Sequence, residues 1–125
     1  MRVLLVDDDE QVNRAMLRLL KRQPGLTPVA VANVDGALDQ LTLAHFDAVM
    51  VDHHLGAGVS GVELLREIRA RWPAIHRVLC SGGTLPGDDP HATEAAHALL
   101  CKPATMEQIL EALRPIESEP RAAVA

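Results

Sequence analysis

The sequence predicts an α/β domain in which five strand–helix repeats build one mostly parallel sheet. Three features carry that prediction. Short solid apolar runs recur at residues 3–6, 48–51, 78–80 and 98–101, as expected of strands covered on both faces. Between them, apolar residues step at three and four, the spacing of one helix face. Proline, glycine and capping residues punctuate several of the junctions.

The elements follow in order. The run "VLLV" at 3–6 is the first strand. Val12, Ala15, Met16, Leu19 and Leu20 form the first helical stripe, and "QPG" at 23–25 stops it. Residues 28–32 make a second strand, and Pro28, which cannot donate to a ladder, suits a sheet edge. Val34, Ala37, Leu38 and Leu41 form the second helical stripe, and residues 48–51 the third strand. Val62, Leu64, Leu65 and Ile68 form the third stripe, ending before Trp72 and Pro73. Trp72 is expected to pack at that helix end. After the fourth strand at 78–80, "GTLPGDDPHATEAAHA" predicts a long loop and then a short helix over 90–97, with Asp89 as cap and Pro90 in the first turn. The fifth strand is 98–101. Thr105 with Gln108 three positions on is a capping box opening the last helix, which carries Ile109, Leu110 and Leu113. Beyond it, "RPIESEPRAAVA" loses periodicity and gains proline. The expected division is one domain over 1–115 and a C-terminal tail or the start of a linker over 116–125.

Composition bounds the function. At 125 residues the chain holds one domain, and 48% hydrophobic residues are ample for a core. A net charge of -5 argues against a broad basic surface, so direct nucleic-acid binding by this domain is not expected. No apolar stretch approaches the roughly 18 residues needed to span a bilayer, so no membrane role is expected. Acid follows Val6 at once, so no basic-then-apolar leader is expected here. The expected location is cytoplasmic. Cys80 and Cys101 sit in apolar runs and are expected to be buried reduced thiols.

The functional signal is the acid that ends the first strand. Asp7, Asp8, Asp9 and Glu10 follow "VLLV" directly. Two carboxylates about 4 Å apart repel by roughly 4 kcal/mol at an effective dielectric near 20, so something must offset them. Asp9 and Glu10 fit a solvated helix N-terminus, where acid complements the helix dipole. Asp7 and Asp8 do not need that explanation. In open parallel sheets, ligands bind outside the carboxyl ends of the strands. The residues just beyond the apolar runs are Asp7 and Asp8, then Asp52, then Ser81, then Lys102 with Pro103. Three carboxylates, a hydroxyl and an ammonium suit a hard divalent cation, Mg2+ or Mn2+, and suit phosphoryl chemistry.

The pieces "LLVDDDE", "DAVMVDHHLGAGVSGVELL", "VLCSGG" and "LLCKP", in this order and spacing, resemble the receiver domains of bacterial two-component response regulators. The resemblance covers about residues 1–115. It implies the flavodoxin-like strand order 2-1-3-4-5. It also implies that Asp52 accepts phosphoryl from a histidine kinase or a phosphotransfer protein. Asp8 is then a direct metal ligand, Asp7 a ligand through water, and the backbone carbonyl of His54 a further one. Ser81 matches the switch hydroxyl, Lys102 the phosphate-binding lysine, and the Lys102–Pro103 bond is expected to be cis. The partners implied are the phosphodonor and an output domain or target protein, with a homodimer left open. Such a domain catalyses only its own phosphorylation and dephosphorylation and is not otherwise an enzyme.

Departures from that pattern are specific. Gly56 stands where a proline is usual, and the turn glycine is Gly61, one residue later than usual. Leu99 replaces the usual aromatic switch residue, the chain has no tyrosine, and Ala95 stands where glycine is common. "SGGTLPGDDP" and the short helix after it are expected to gain order on activation. Two rival functions have sequence support. Asp7 and Asp9 form a D-x-D element like that of haloacid-dehalogenase-like phosphatases, with Asp7 as nucleophile, although Gln11 does not fit the pattern. A pseudo-receiver that binds partners without phosphorylation is the other. His53 and His54 suggest a transition-metal site, but consecutive side chains on extended backbone are expected to point apart. By the same alternation, Cys80 and Cys101 are expected to face away from the site.

Overall fold

The computed structural model describes residues 1–82 and 90–114. Among these residues strands and helices alternate: β1 (Arg2–Val6), α1 (Glu10–Lys21), β2 (Thr27–Val31), α2 (Val34–Leu43), β3 (Ala48–Asp52), α3 (Gly61–Arg71), β4 (His76–Ser81), α4 (Pro90–Ala95), β5 (Ala98–Cys101) and α5 (Met106–Leu113). All strand pairs are parallel, in the order β2-β1-β3-β4-β5. This is the three-layer flavodoxin-like arrangement, with Pro28 on an edge strand as its missing N–H requires. The chain leaves β1 first toward one edge, to β2, and then crosses back to β3 on β1's other side. That reversal opens a crevice beyond the C-terminal ends of β1 and β3.

Side-chain alternation along the strands divides the interior into two cores. Leu4, Val6, Val49, Val51 and Leu79 pack with Ala37 and Leu41 of α2, Leu64, Leu65 and Ile68 of α3, and Ala92 and Ala95 of α4. Val3, Leu5, Met50, Val78 and Leu100 face the other way, onto Leu20 of α1 and Ile109, Ala112 and Leu113 of α5. Burial of both faces is why the strands read as solid apolar runs.

Local chemistry sets the helix ends. The Asp9 carboxylate caps α1, accepting from the Gln11 and Val12 amides at 2.9 and 3.3 Å, and Glu10 lies in the first turn. The second half of the acidic run thus serves the helix. The Thr105–Gln108 capping box forms in both directions, at 3.1 and 2.9 Å. Trp72 ends α3, its N–H bonded to the Ile68 carbonyl at 2.7 Å and its ring beneath the Arg71 guanidinium at 4.4 Å.

The structure corrects several expectations. β4 begins two residues before its apolar run, with His76 and Arg77 each only 5% exposed. Their polar atoms are satisfied locally. His76 Nε2 bonds the Ala112 carbonyl at 2.7 Å, and Arg77 reaches the carbonyls of Ala95, Pro73 and Ile75 at 2.6, 3.1 and 3.1 Å. α4 ends at Ala95 rather than residue 97, because the His97 amide donates to the Arg77 carbonyl at 2.8 Å and so belongs to the β4–β5 pairing. β2 spans 27–31 rather than 28–32. Cys101 is exposed, not buried, since β5 is an edge strand. The expectations for the loop over 83–89 and for the tail from 115 onward lie outside the described residues.

Candidate functional site

Three strand ends supply the site. Asp7 and Asp8 follow β1, Asp52 closes β3, and Lys102 follows β5. Oxygens of Asp7, Asp8 and Asp52 lie within 4.8 Å of one another. Lys102 Nζ stands between two of these carboxylates, 2.8 Å from Asp7 Oδ2 and 3.1 Å from Asp52 Oδ1. The other oxygen of Asp7 accepts from the Asp9 amide at 2.9 Å. Asp7 is therefore buried with both oxygens engaged, whereas Asp8 is exposed. Burial by itself would lower the Lys102 ammonium, but its hydrogen bonds to Asp7 and Asp52 hold it above the ordinary lysine range.

One ammonium against three carboxylates leaves an excess of negative charge at the crevice mouth. The donors are hard oxygens and one of them faces solvent, which fits a cation such as Mg2+ that keeps part of its water shell. A thiolate- or imidazole-seeking metal would find a poor match. Among the described residues, the ligand atoms that converge are those of Asp7, Asp8 and Asp52, without either histidine. His53 and His54 do not point apart as expected; their rings touch at 4.4 Å, tilted by 49°. The strand has ended at Asp52, so strand alternation no longer governs them.

The loop from β3 to α3 runs through a left-handed turn. Gly56, Ala57 and Gly58 have φ of 80, 52 and 76°. This left-handed turn is closed by the Val59 amide on the Gly56 carbonyl at 2.9 Å and the Leu55 amide on the Val59 carbonyl at 3.0 Å. Proline, fixed near φ −65°, cannot take the place of Gly56. A Cβ at Gly56 would also lie 2.7 Å from Asp8 Oδ2, so the bare backbone leaves room for that carboxylate. Gly61 starts α3 directly against β3, its amide donating to the His53 carbonyl at 2.8 Å. A Cβ there would collide with the Asp52 carbonyl oxygen.

Ser81 ends β4, is 2% exposed, and its carbonyl accepts from the Lys102 amide at 2.7 Å. It shares the sheet edge with Asp52 and Lys102 but does not line the cavity they share. Leu99 packs, partly buried, on the core under α3 and α4. Cys80 corrects the sequence reading. It is the register partner of Asp52, and adjacent parallel partners point the same way, so its thiol faces the site. It lines a cavity of about 480 Å³ between α1 and α5 with Asp7, Asp52 and Lys102 at the mouth. Burial pushes the Cys80 thiol up to about 12, with Lys102 pulling it down and Asp52 and Asp7 pushing it up, so the thiol stays neutral.

Sequence reasoning missed Asn13, which is buried in α1 and bonded to the Asp7 carbonyl. Its signal was its position: it lies three residues before Met16 and seven before Leu20, on the stripe that faces the core.

The family model for the response regulator receiver domain matches residues 3–114. Among curated relatives, the sensory/regulatory protein RpfC of Xanthomonas campestris pv. campestris is 30% identical over 115 residues. The hydrogenase transcriptional regulatory protein HoxA of Cupriavidus necator is 29% identical over 114 residues. These matches cover 88% and 90% of this chain but only 16% and 23% of those proteins, so the chain spans less than a quarter of their length. A solved response regulator protein from Burkholderia pseudomallei, with a phosphorylated aspartic acid, a calcium ion and citrate, is 30% identical at a TM-score of 0.82. That likeness covers 99% of this chain and 72% of the other.

Proposed function

The chain belongs to the response regulator receiver domain family, and from that premise we propose that it is a phosphoacceptor switch in two-component signalling. Asp52 takes phosphoryl from a histidine kinase or phosphotransfer protein, and the modified domain changes its preference for an output domain or target protein. The observation that carries this is Lys102 held between Asp7 and Asp52 beside the three converging carboxylates. The phosphorylated aspartate of the Burkholderia pseudomallei relative supports it.

In the proposed transfer, an Asp52 oxygen attacks phosphorus. The P–N bond to the donor imidazole breaks, a P–O bond to Asp52 forms, and the leaving imidazole keeps the electron pair and takes a proton. Hydrolysis by water returns the carboxylate and inorganic phosphate. Lys102 already sits 3.1 Å from Asp52 and can donate to the added oxygens. The Ser81 hydroxyl is the second donor in this reading, and Leu99 repacks where an aromatic would otherwise rotate. Asp7, Asp8, Asp52 and the His54 backbone carbonyl would hold Mg2+ or Mn2+, with Asp8 ligating directly and Asp7 through water. Such a cation neutralises charge on the phosphoryl oxygens.

Asp9 argues against the phosphatase alternative, because its carboxylate caps α1 instead of joining the cluster. Residues 1–115 act as the unit, which has no separate substrate to turn over. Among the described residues no helix is long and apolar enough to cross a membrane; a cytoplasmic location is the proposed one.

Acetyl phosphate tests this reading. With Mg2+ present, intact-mass measurement is expected to show one added phosphoryl group, and chelator is expected to suppress it. Absence of any adduct on the metal-loaded protein would overturn the phosphoacceptor reading.

A further inference from the structure

Asn13 is an amide only 8% exposed, on the face of α1 that otherwise buries apolar side chains. Its Nδ2 donates to the Asp7 carbonyl at 2.8 Å and to the Val31 carbonyl at 3.2 Å. Both partners are carbonyl oxygens, so the NH2 end of the side chain must face them. The site is where the β1–β2 ladder stops. Val6 pairs with Val31, and the Asp7 amide still reaches the Val31 carbonyl at 3.2 Å. Past that point the Asp7 carbonyl has left the ladder, and Asn13 supplies its donor.

We infer that Asn13 is a positioning residue for the cation and phosphoryl site, fixing the Asp7 backbone and thereby the direction in which Asp7 and Asp8 present their carboxylates. The inference rests on the reading of this crevice as a Mg2+-dependent phosphoacceptor site. Asp7 has two further restraints, the Asp9 amide on one oxygen and Lys102 on the other. Asp8 is the next residue and depends on the Asp7 backbone for its aim. Loss of the Asn13 amide therefore acts first on cation binding, through Asp8, and only weakly on the Lys102 pairing. Outer partners that orient ligand groups typically contribute about 10–100-fold to metal affinity.

The test measures Mg2+ affinity by calorimetry, and acetyl phosphate labelling across Mg2+ concentrations, for wild type, Asn13→Leu and Asn13→Ser. Leu20→Ala, in the core under the same helix, is the stability control. Asn13→Leu is expected to bind Mg2+ about 10-fold more weakly, with labelling restored toward the wild-type rate at saturating Mg2+. Asn13→Ser keeps a hydroxyl donor and is expected to lose less, but still more than twofold; it carries the test alone should the leucine variant not fold. Leu20→Ala is expected to lose stability and keep its Mg2+ affinity. Affinities within twofold of wild type in the Asn13 variants would overturn the inference, as would an equal loss in Leu20→Ala. A wild-type protein that binds no Mg2+ would instead refute the reading of the site on which the inference rests.

Discussion

Gly61→Ala is expected to destabilise the domain by about 3 kcal/mol or more, a large part of the roughly 5–15 kcal/mol available to a domain. The new methyl would strike the Asp52 carbonyl oxygen and come within 3.0 Å of Val51 Cγ1. Overpacking is cheap where a flexible side chain can yield, but here the obstacle is the backbone of β3. Relief requires α3 to withdraw, breaking the Gly61 amide bond to the His53 carbonyl and pulling on the turn that borders Asp8. Gly25→Ala is the control. It has φ of 83° but nothing within 4 Å, so it should cost only about 1 kcal/mol, the backbone term alone. Urea unfolding of both variants checks this. A Gly61→Ala loss no larger than that of Gly25→Ala would contradict the close approach of α3 to the phosphoacceptor strand.

Acid is expected to weaken the fold through His97. Its Nδ1 accepts from the Arg77 backbone amide at 2.9 Å, so the bonded ring is neutral and carries its proton on Nε2. Burial, then the Arg77 guanidinium, then His76 and Arg69 push its pKa down to about 4 from 6.5. A base whose folded pKa is depressed binds its proton more readily unfolded. Its neutral form therefore stabilises the fold fully above pH 6.5, and that contribution fades as pH falls toward about 4. At 1.36 kcal/mol per pKa unit, discounted for the partial exposure of the ring, the loss amounts to about 2–3 kcal/mol. The disruption should begin where the network is anchored, at the α4 terminus held by Arg77 and the α5 carbonyl held by His76. His97→Gln retains an acceptor that does not titrate. Urea unfolding between pH 4.5 and 7.5 should show a steeper fall for wild type than for the variant; parallel curves would refute the assignment.

The fold was legible because the apolar runs encode burial on both faces, and the edge position of β2 because Pro28 cannot pair on both sides. The ends of β4 were not. His76 and Arg77 look like loop residues, and their burial becomes tolerable only with the carbonyls of α4 and α5 brought near by folding, together with those of Pro73 and Ile75 in the segment before β4. At the site, Asp7, Asp8, Asp52 and Lys102 could be placed together because each lies at the end of an apolar strand or within two residues past it. The facing of Cys80 could not be inferred from Ser81, because it follows from the register opposite Asp52. Gly61 was visible as a turn residue, but its contact with the Asp52 carbonyl depends on how closely α3 docks on β3. Asn13 had a visible clue, an amide on the buried stripe, but its partners just past the end of β1 and at the end of β2 become neighbours only in the sheet.

The central claim is that Asp52, not Asp7, is the carboxylate that carries phosphoryl. Both touch Lys102, at 3.1 and 2.8 Å, so proximity to the lysine does not distinguish them. They differ in that both oxygens of Asp7 are held, one by Lys102 and one by the Asp9 amide. The decisive measurement is acetyl phosphate labelling with Mg2+ of wild type, Asp52→Asn and Asp7→Asn, with the modified residue located by reductive trapping of the acyl phosphate and peptide mass mapping. Wild type is expected to be modified at Asp52, Asp52→Asn to stay unmodified, and Asp7→Asn to be modified at Asp52 more slowly. Label retained by Asp52→Asn and mapped to Asp7 would contradict the central claim and favour phosphatase-like chemistry.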